Sequence, residues 1–526
     1  FPTRRSSDLT FALGLSVLAV FGLSTAIAGS VTKAGTGTNL TDGASWVGGT
    51  VPTNTDVATW AGTSLGAGLT LGSPASWAGI SVSGALSDID ISGEGPLTNG
   101  ASGIDLSASP VNLTMGMPFV LGADQTWTVN TGKTLTSSGV INGAGSLTKA
   151  GAGNLTLAMA NNYTGATTIN GGIVTLSGSG ALATNTAITI NGGTLDMGAQ
   201  DAVNDLGNNT GIVFGTSGGN LNGSGTLKII GLNASAAAFS VAANATAVVN
   251  ENLFATNTLA NSFQTLASVG SGATLTLNGQ VNSHYSGNGI WTSGGGTLVL
   301  NNPSGNYSVL GIQGTGATVS TPYFSALGTQ SHMVMGQSPA NGPATLIYTG
   351  AAVTNSFFFL PATLTPTILN NGSGTVTFTG GNFTQPYGNP SSGTHQTLTL
   401  GGVSDMSIKG VIQDAKASNS YLTDLVKTNG NTITLAGNNT YSGSTTISAG
   451  TLLGVTGGSC SNSAVTLAAA AGNTAVVGVS ITDNTMQWTI PGLTVNNSGT
   501  SSDLQFSFVV PPGTTVAAMN IVGNAT

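Results

Sequence analysis

The chain contains a thirty-residue unit that occurs twice. Residues 147–176 read LTKAGAGNLTLAMANNYTGATTINGGIVTL and residues 425–454 read LVKTNGNTITLAGNNTYSGSTTISAGTLLG, and the two align without a gap and are identical at 12 of 30 positions. A Gly-Val-Ile opening precedes each copy, so we assign the repeats to residues 139–176 and 410–454. Seven extra residues stand before the lysine of the second copy, and we expect them to form a loop. Internal repetition at this length is typical of solenoids, in which stacked units share one core.

Each copy is predicted to form three short strands joined by turns. In residues 154–157 and 432–435 aliphatic residues alternate with threonine, which places them on opposite faces of a strand. In copy one, residues 161–165 read Asn-Asn-Tyr-Thr-Gly and indicate a corner, where we expect the Tyr163 ring to cover the turn with its hydroxyl in water. The same alternation recurs in weaker form at residues 187–190, 226–229, 274–277, 297–300, 375–378 and 397–400.

Strands this short favour an all-β parallel β-helix, in which every coil buries its aliphatic residues against the next. A β-sandwich array is the alternative. The charge content agrees with stacking: 9 basic and 17 acidic residues occur among 526, and a charge repeated along a stack would face a like charge one strand away. We therefore expect the charged residues at turns, loops and ends, with no columns of like charge. Asparagines can instead bond to one another along the stack.

The two ends of the chain differ from its middle. Residues 1–9 carry Asp8 where a signal peptide is positively charged, so we interpret them as foreign, and residues 10–27 as the apolar part of a signal peptide cleaved after Ala28; a membrane anchor is the alternative. Residues 1–28 are thus foreign sequence plus signal peptide. We predict an N-terminal cap at 29–62, with a first ordinary coil as the alternative, a β-helix at 63–455, and further β coils of a truncated chain at 456–526.

Charge and cysteine content exclude several classes of function. Lysines are scattered singly, and the two arginines lie in residues 1–9, so nucleic-acid binding and adhesion to an anionic membrane are disfavoured. Cys460 is the sole cysteine, which leaves no internal disulfide and no cysteine-ligated metal. The histidines, His284, His332 and His395, stand in separate polar stretches without partners at metal-ligand spacing. We predict no cofactor.

The acidic residues give weak support for catalysis. Glycoside hydrolysis needs two carboxylates across the scissile bond. In the best cluster, alternation with isoleucine places Asp88 and Asp90 on the outer face of one strand, where solvated surface is the expected role. Asp201 and Asp205 are interpreted as turn formers. The glutamates are Glu94 and Glu251.

Residues 303–390 differ in composition from the rest. They hold eight of the seventeen prolines and many of the aromatic residues, which indicates longer loops. We expect these rings to fill irregular core and turn sites. Binding of sugar rings or of a partner surface is the alternative.

The residues shared by the two copies resemble a known family. The pattern is similar to the autotransporter-associated β-strand repeat of bacterial surface-protein passengers. Its matching positions are Lys149, Leu157, Asn161, Tyr163, Gly165, Ile169 and Gly172 in copy one and Lys427, Leu435, Asn439, Tyr441, Gly443, Ile447 and Gly450 in copy two. Copy two departs from the pattern with Asn429 and Asn431, where copy one has glycines. The resemblance implies a right-handed parallel β-helix, and the motif carries no catalytic residue.

The resemblance also implies a location and a role. It indicates a non-enzymatic passenger, secreted or on the bacterial outer surface, that serves adhesion or surface display. Expected partners are a host or neighbouring-cell surface or a polysaccharide, together with a β-barrel translocator beyond residue 526. Uncovered coil ends also allow end-to-end self-association. A β-helical polysaccharide-active enzyme is the alternative function.

Overall fold

The chain folds as a parallel β-solenoid of about 17 turns, which confirms the predicted fold class. The structure is a computed structural model that describes residues 28–62, 64–183, 186–199, 202–205, 211–230, 237–256, 264–283, 289–303, 305–313, 316–330, 332–336, 342–385, 395–414, 421–469, 471–496, 503–509 and 517–522. Its helical content within these ranges is two short 3-10 helices, η1 (Gly43–Ser45) and η2 (Phe324–Leu327).

Two long sheets run along the solenoid. Sheet 1 comprises β1 (Gly29–Thr32), β2 (Asp56–Trp60), β4 (Ala75–Val82), β6 (Leu97–Leu106), β8 (Phe119–Leu121), β9 (Gln125–Val129), β11 (Ile141–Gly143), β12 (Leu147–Ala150), β14 (Thr167–Ile169), β16 (Ile188–Ile190), β19 (Ile212–Phe214), β22 (Phe239–Val241), β25 (Gln264–Val269), β28 (Ile290–Ser293), β31 (Leu310–Ile312), β33 (His332–Met335) and β36 (Phe358–Pro361). Sheet 2 comprises β3 (Leu69–Thr70), β5 (Ile89–Ser92), β7 (Leu113–Met115), β10 (Thr134–Ser137), β13 (Asn154–Leu157), β15 (Ile173–Leu176), β17 (Thr194–Asp196), β20 (Gly219–Asn222), β23 (Thr246–Val249), β26 (Thr274–Leu277), β29 (Thr297–Leu300), β32 (Ala317–Thr321), β34 (Ala344–Tyr348), β37 (Pro366–Asn370), β39 (His395–Gly402), β41 (Leu422–Lys427), β43 (Thr445–Ile447), β45 (Val465–Leu467) and β48 (Leu493–Val495). At a spacing of about 4.8 Å, sheet 2 is on the order of 90 Å long.

A third face is built in two stretches. Sheet 3a comprises β18 (Ala202–Asp205), β21 (Thr226–Ile230), β24 (Asn252–Thr256), β27 (Val281–Ser283) and β30 (Gly305–Asn306). Sheet 3b comprises β35 (Val353–Asn355), β38 (Val376–Phe378), β40 (Met406–Ile408), β42 (Thr432–Leu435), β44 (Gly450–Val455), β46 (Thr474–Ser480) and β49 (Asp503–Val509). A separate pair joins β47 (Trp488–Ile490) to β50 (Met519–Ile521).

Every named strand pair in the described ranges is parallel, and register is continuous within the pairs except for shifts at Trp77/Gly79 and Thr265/Ala267. In sheet 2 the inward residues Leu135, Leu155, Val174 and Leu195 lie above one another, and each is at most 1% exposed. Burial of each such side chain contributes about 1.5–3 kcal/mol. The β-sandwich alternative requires antiparallel pairing and is therefore wrong for this part of the chain. All six weaker strands predicted from alternation lie in the three faces.

The prediction about columns of charge is confirmed for the paired strands of the described residues, because no charged residue there stands directly opposite another. Asp196, for example, lies between Thr175 and Asn222. The predicted amide ladder is also present. Asn250 donates to Asn222 at 2.7 Å, Asn278 donates to Asn250 at 2.6 Å, and Asn301 donates to Asn278 at 2.9 Å.

The N-terminal segment packs through three tryptophans. β2 pairs with β1 on one side and β4 on the other, so it continues sheet 1. Trp46 lies edge-on to Trp60 and Trp77 at ring distances of 5.8 and 5.7 Å, and its Nε1 donates to the Leu40 carbonyl. The predicted signal peptide lies outside the described residues. Within the described ranges, no helix has the length and apolar content needed to span a membrane.

Candidate functional site

The lysine of the first repeat copy points into the solenoid and not toward water. Lys149 is 1% exposed, and its Nζ donates to the carbonyls of Ala150 at 2.7 Å, Gly151 at 2.9 Å and Gly171 at 3.2 Å. Gly172 closes this cage with φ of +65°, and a Cβ atom there would lie 2.9 Å from Nζ and 2.1 Å from a backbone carbonyl oxygen. The repeat glycine therefore lets the turn wrap around the ammonium group.

The second copy builds the same cage with one bond more. Lys427 is 0% exposed, and its Nζ donates to the carbonyls of Thr428, Asn429 and Ala449 at 2.6, 2.7 and 3.0 Å. It also donates to the side-chain oxygen of Asn431 at 3.0 Å. Asn431, which stands where copy one has a glycine, therefore supplies the fourth oxygen that binds the lysine.

Burial lowers the pKa of Lys149 and of Lys427 to about 8, because the ammonium group is largely removed from water. Both groups therefore remain mostly charged at pH 7 and are hydrogen-bonded to carbonyl and amide oxygens, and for Lys427 the attraction of the Asp405 carboxylate partly opposes the lowering of the pKa. Our expectation that charged residues lie at turns, loops and ends is wrong for these two, which are strand residues of the core. Multiple carbonyl acceptors compensate for lost hydration, which is the physical reason for the difference. The expectation is also wrong for residues on the outward side of strands, which include Lys228, Asp90, Asp105, Asp196 and Asp424.

A third caged lysine was not singled out by the sequence analysis. Lys33 is 1% exposed and donates to the carbonyls of Ala34, Thr36 and Gly37, each at 2.8 Å, and burial lowers its pKa. The sequence does contain a sign of this third cage, because residues 32–37 read TKAGTG and residues 148–153, around Lys149, read TKAGAG.

The asparagine of each repeat connects successive coils. The Asn161 side-chain oxygen accepts from the backbone N–H of Ile141 at 2.9 Å, and its Nδ2 donates to Ala181 in the following coil at 2.7 Å. Asn439 accepts from Ile412 in the same way at 2.9 Å, and its Nδ2 reaches the following coil at 3.1 Å. In both copies the backbone N–H of the isoleucine in the Gly-Val-Ile opening donates to the repeat asparagine, so the opening and the repeat are joined in the same way.

The repeat tyrosines are buried, so the prediction of a hydroxyl in water is wrong. Tyr163 is 1% exposed and Tyr441 is 0% exposed. Their hydroxyls bond to the side chains of Thr167 at 2.6 Å and Thr445 at 2.7 Å, four residues later in each copy. Burial raises the pKa of both tyrosines. A local hydroxyl partner therefore replaces the water that the prediction assumed.

The other repeat positions pack coil against coil. A Cβ atom on Gly165 would lie 2.4 Å from the backbone of Gly145, and one on Gly443 would lie 2.4 Å from the Thr423 carbonyl oxygen. Glycine at these positions permits the close approach of neighbouring coils. The aliphatic repeat residues, all in the core, are Leu157, Leu435, Ile169 and Ile447.

Several acidic side chains hold neighbouring coils together. Asp88 and Asp90 are exposed, as predicted, and Asp88 accepts from the backbone N–H and side chain of Asn112 at 2.9 and 3.0 Å. These hydrogen bonds lower the pKa of Asp88. Asp124 accepts from the backbone of Ser146 at 2.8 Å in the same manner. A carboxylate already engaged by the scaffold is poorly suited to general acid–base work.

The other acidic residues that the sequence analysis considered are spread over separate parts of the chain. Glu94 is exposed and Glu251 is buried. Asp201 lies outside the described residues, and Asp205 ends β18, where its side chain is not described. Across the ranges that the structure describes, no group of three or more His, Cys, Asp or Glu side chains is placed to hold a metal ion.

The histidines lie in different surroundings. His284 falls outside the described residues. His332 stacks on Phe358 with ring centroids 5.1 Å apart, and burial lowers its pKa. His395 bonds through Nδ1 to Asp424 at 2.8 Å, and the Asp424 carboxylate also accepts from the Ser444 backbone at 2.6 Å. In this geometry the serine meets the carboxylate and not the imidazole, which is not a nucleophile–base arrangement.

The aromatic-rich region fills core space and also borders a groove. Phe324 stacks on Tyr348 at 4.7 Å and meets Phe378 edge-on at 5.6 Å. Phe357 lies 5.3 Å from Phe324. This packing agrees with the expectation that the rings fill irregular core. A surface groove of about 490 Å³ lies beside Phe324 and Phe357 and is otherwise lined by proline, glycine, serine, threonine, glutamine and asparagine.

One outward face carries a long hydroxyl column. Seven threonines on successive coils of sheet 2 lie in register, with no charged residue between them. They are Thr246, Thr274, Thr297, Thr318, Thr345, Thr367 and Thr399. We call this set the threonine column. The amide ladder occupies four coils of the same sheet.

Comparison with known proteins identifies the repeat. The family model described as passenger-associated-transport-repeat matches residues 147–176 and 425–453, which confirms the resemblance found in the sequence. No curated protein and no solved structure matches the chain. The chain therefore carries two passenger-associated-transport repeats, and these repeats and their β-solenoid fit an autotransporter passenger.

Proposed function

We propose that this chain is a non-enzymatic passenger, secreted or held at the bacterial outer surface, whose lateral face makes adhesive contacts. The threonine column carries the proposal, because it offers an uncharged, regularly spaced hydroxyl surface along seven coils. Such a surface suits repeated weak contacts, which gain strength from multivalency. The match to passenger-associated-transport repeats supports the proposed location.

The scaffold chemistry supports a binding role over a catalytic one. Buried lysines are saturated by carbonyls, and the acids Asp88 and Asp124 hold backbone N–H groups of the next coil. These charged groups are engaged in stabilising the stack. The alternative, a polysaccharide-active enzyme, would gain support from three acids converging in one groove beside a tyrosine or tryptophan. The groove beside Phe324 and Phe357 has no acidic residue in its lining.

Adherence of coated beads tests the proposal. Beads carrying the full chain are applied to cultured-cell monolayers and to a cross-linked neutral polysaccharide. We expect Thr297→Lys/Thr345→Lys, two coils apart in the threonine column, to reduce retention at least tenfold by introducing charge and bulk. The matched control is Thr126→Lys/Thr168→Lys, two coils apart on sheet 1. Absence of retention by the unmodified chain, or equal loss in both variants, would contradict the proposal.

A further inference from the structure

We infer that the groove beside Phe324 and Phe357 binds a short neutral oligosaccharide. Its volume of about 490 Å³ lies within the range of about 300–1,000 Å³ that is usual for small-molecule sites. Three successive coils line it: Pro303 with the start of β30, η2 with the residues that follow it, and the end of β35 with the β35–β36 connection. A site assembled from neighbouring coils is held in place by the stack itself.

The wall of the groove offers a fixed aromatic surface. Phe324 is partly exposed, while Tyr348, Phe357 and Phe378 hold its ring at centroid distances of 4.7, 5.3 and 5.6 Å. A ring held by three others loses little conformational freedom when a ligand packs against it. The carbon-bound face of a pyranose is an apolar surface of suitable shape for such contact.

The groove also presents hydrogen-bonding groups without charge. Thr329, Gln330 and Ser356 are exposed in its lining, which contains no Asp, Glu, Lys, Arg or His. An ionic ligand would lose hydration here without meeting an opposite charge. Hydroxyl and amide groups beside an aromatic wall instead match a neutral ligand that is rich in hydroxyls.

A buried donor in the lining points to a missing acceptor. Asn355 is fixed through its side-chain oxygen, which accepts from the Phe357 backbone at 2.9 Å. Its Nδ2 is buried and has no hydrogen-bond partner among the described residues. Because this nitrogen is closed to solvent while the groove is empty, a ligand would reach it only once the Asn355 side chain turns toward the groove, where a sugar hydroxyl or ring oxygen would pair the amide.

We test the inference by titrating the full chain with three neutral sugars, maltotriose, cellotriose and chitotriose. Trigalacturonate is the charged comparator, and an uncharged Gly-Ser peptide of similar size is the comparator that is not a sugar. Saturation-transfer NMR reports binding. We expect at least one neutral trisaccharide to bind, and Ser356→Trp, which fills the groove, to weaken binding at least tenfold. Asn355→Asp removes the donor at constant shape and should weaken it similarly. Phe358→Ala, a ring outside the groove lining, is the matched control and should change affinity less than twofold.

The inference is overturned if none of the neutral sugars binds, if trigalacturonate or the peptide alone binds, or if Ser356→Trp binds as tightly as the unmodified chain. Thermal melts of each variant establish that it is folded. This inference rests on the proposed adhesive function. The sugar titration and the bead assay can nevertheless fail independently of each other. Retention of beads by a chain that binds none of the neutral trisaccharides refutes the groove and leaves adhesion in place, whereas sugar binding without retention refutes adhesion alone.

Discussion

The two repeat copies make the same contacts at different corners of the solenoid. In copy one, β12 and β14 belong to sheet 1, and β13 and β15 belong to sheet 2. In copy two, β41 and β43 belong to sheet 2, and β42 and β44 belong to sheet 3b. Lys149 nevertheless pairs with Ile169, and Lys427 with Ile447, so each lysine meets the same neighbour one coil later. The motif is therefore fixed by contacts between adjacent coils and is independent of which face it occupies.

The copies differ where copy two departs from the family pattern. Gly151 has φ of +75° and Asn429, its counterpart, has φ of +61°. Asparagine is among the few residues that adopt this left-handed conformation at modest cost, so the turn survives the replacement. Asn431 donates to the Ser404 carbonyl at 2.8 Å while it accepts from the caged lysine. The substitution is thus compensated by side-chain bonds that glycine cannot make.

Exchanging the turn residues Gly151 and Asn429 should give the largest difference in stability between the two copies. A Cβ atom on Gly151 would lie 2.3 Å from the Val129 carbonyl oxygen, so Gly151→Asn adds a steric clash. We expect it to lower the opening free energy of its coil by about 4 kcal/mol. Asn429→Gly keeps the conformation and loses the bond from the Gly402 N–H at 3.1 Å, which costs about 1 kcal/mol. Native-state hydrogen exchange measures both, and equal effects would contradict the comparison.

Removing the caged lysines should produce the next largest effect. Lys149→Met and Lys427→Met leave backbone carbonyls buried without hydrogen-bond donors. This loss of hydrogen bonds outweighs the free energy gained because a charge no longer has to be buried. We expect Lys149→Met to cost about 2 kcal/mol and Lys427→Met about 1 kcal/mol more, because copy two loses four bonds and copy one loses three. Hydrogen exchange in the two coils reports each cost separately. A larger cost in copy one would show that Asn431 is not part of the cage.

The same variants determine how pH acts on the stack. Each lysine has a pKa of about 8 when folded and 10.5 when unfolded, so between these values the unfolded chain binds more protons. Stability from this source therefore rises with pH, by about 2 kcal/mol per lysine from pH 8 to pH 10. The stability difference between the unmodified chain and each methionine variant should widen by that amount. A constant difference across this interval would show that the ammonium groups titrate normally.

The repeat made much of this architecture predictable, but it did not predict the carbonyl cages around the buried lysines. Alternation of Leu with Thr in residues such as Leu155 and Thr156 predicts a strand with one buried face, and identical spacing in two copies predicts stacking. The inward direction of Lys149 could not be predicted, because lysine is normally solvated and its carbonyl partners come from a turn and from the next coil. Nor could the groove be predicted from sequence, since its lining joins residues that are far apart in the chain.

Removing the tyrosine hydroxyls should give the smallest and most discriminating difference. Tyr163→Phe leaves the buried Thr167 hydroxyl without its 2.6 Å partner, and we expect a cost of about 1.5 kcal/mol. In copy two, Thr445 keeps a 2.7 Å bond to Ser463, so Tyr441→Phe should cost about 0.5 kcal/mol. Double-mutant cycles with Thr167→Val and Thr445→Val isolate each pair. A larger coupling in copy two would contradict this expectation. It would mean that losing the 3.6 Å contact between the Tyr441 hydroxyl and the Cys460 sulfur costs more than the Thr445–Ser463 bond restores.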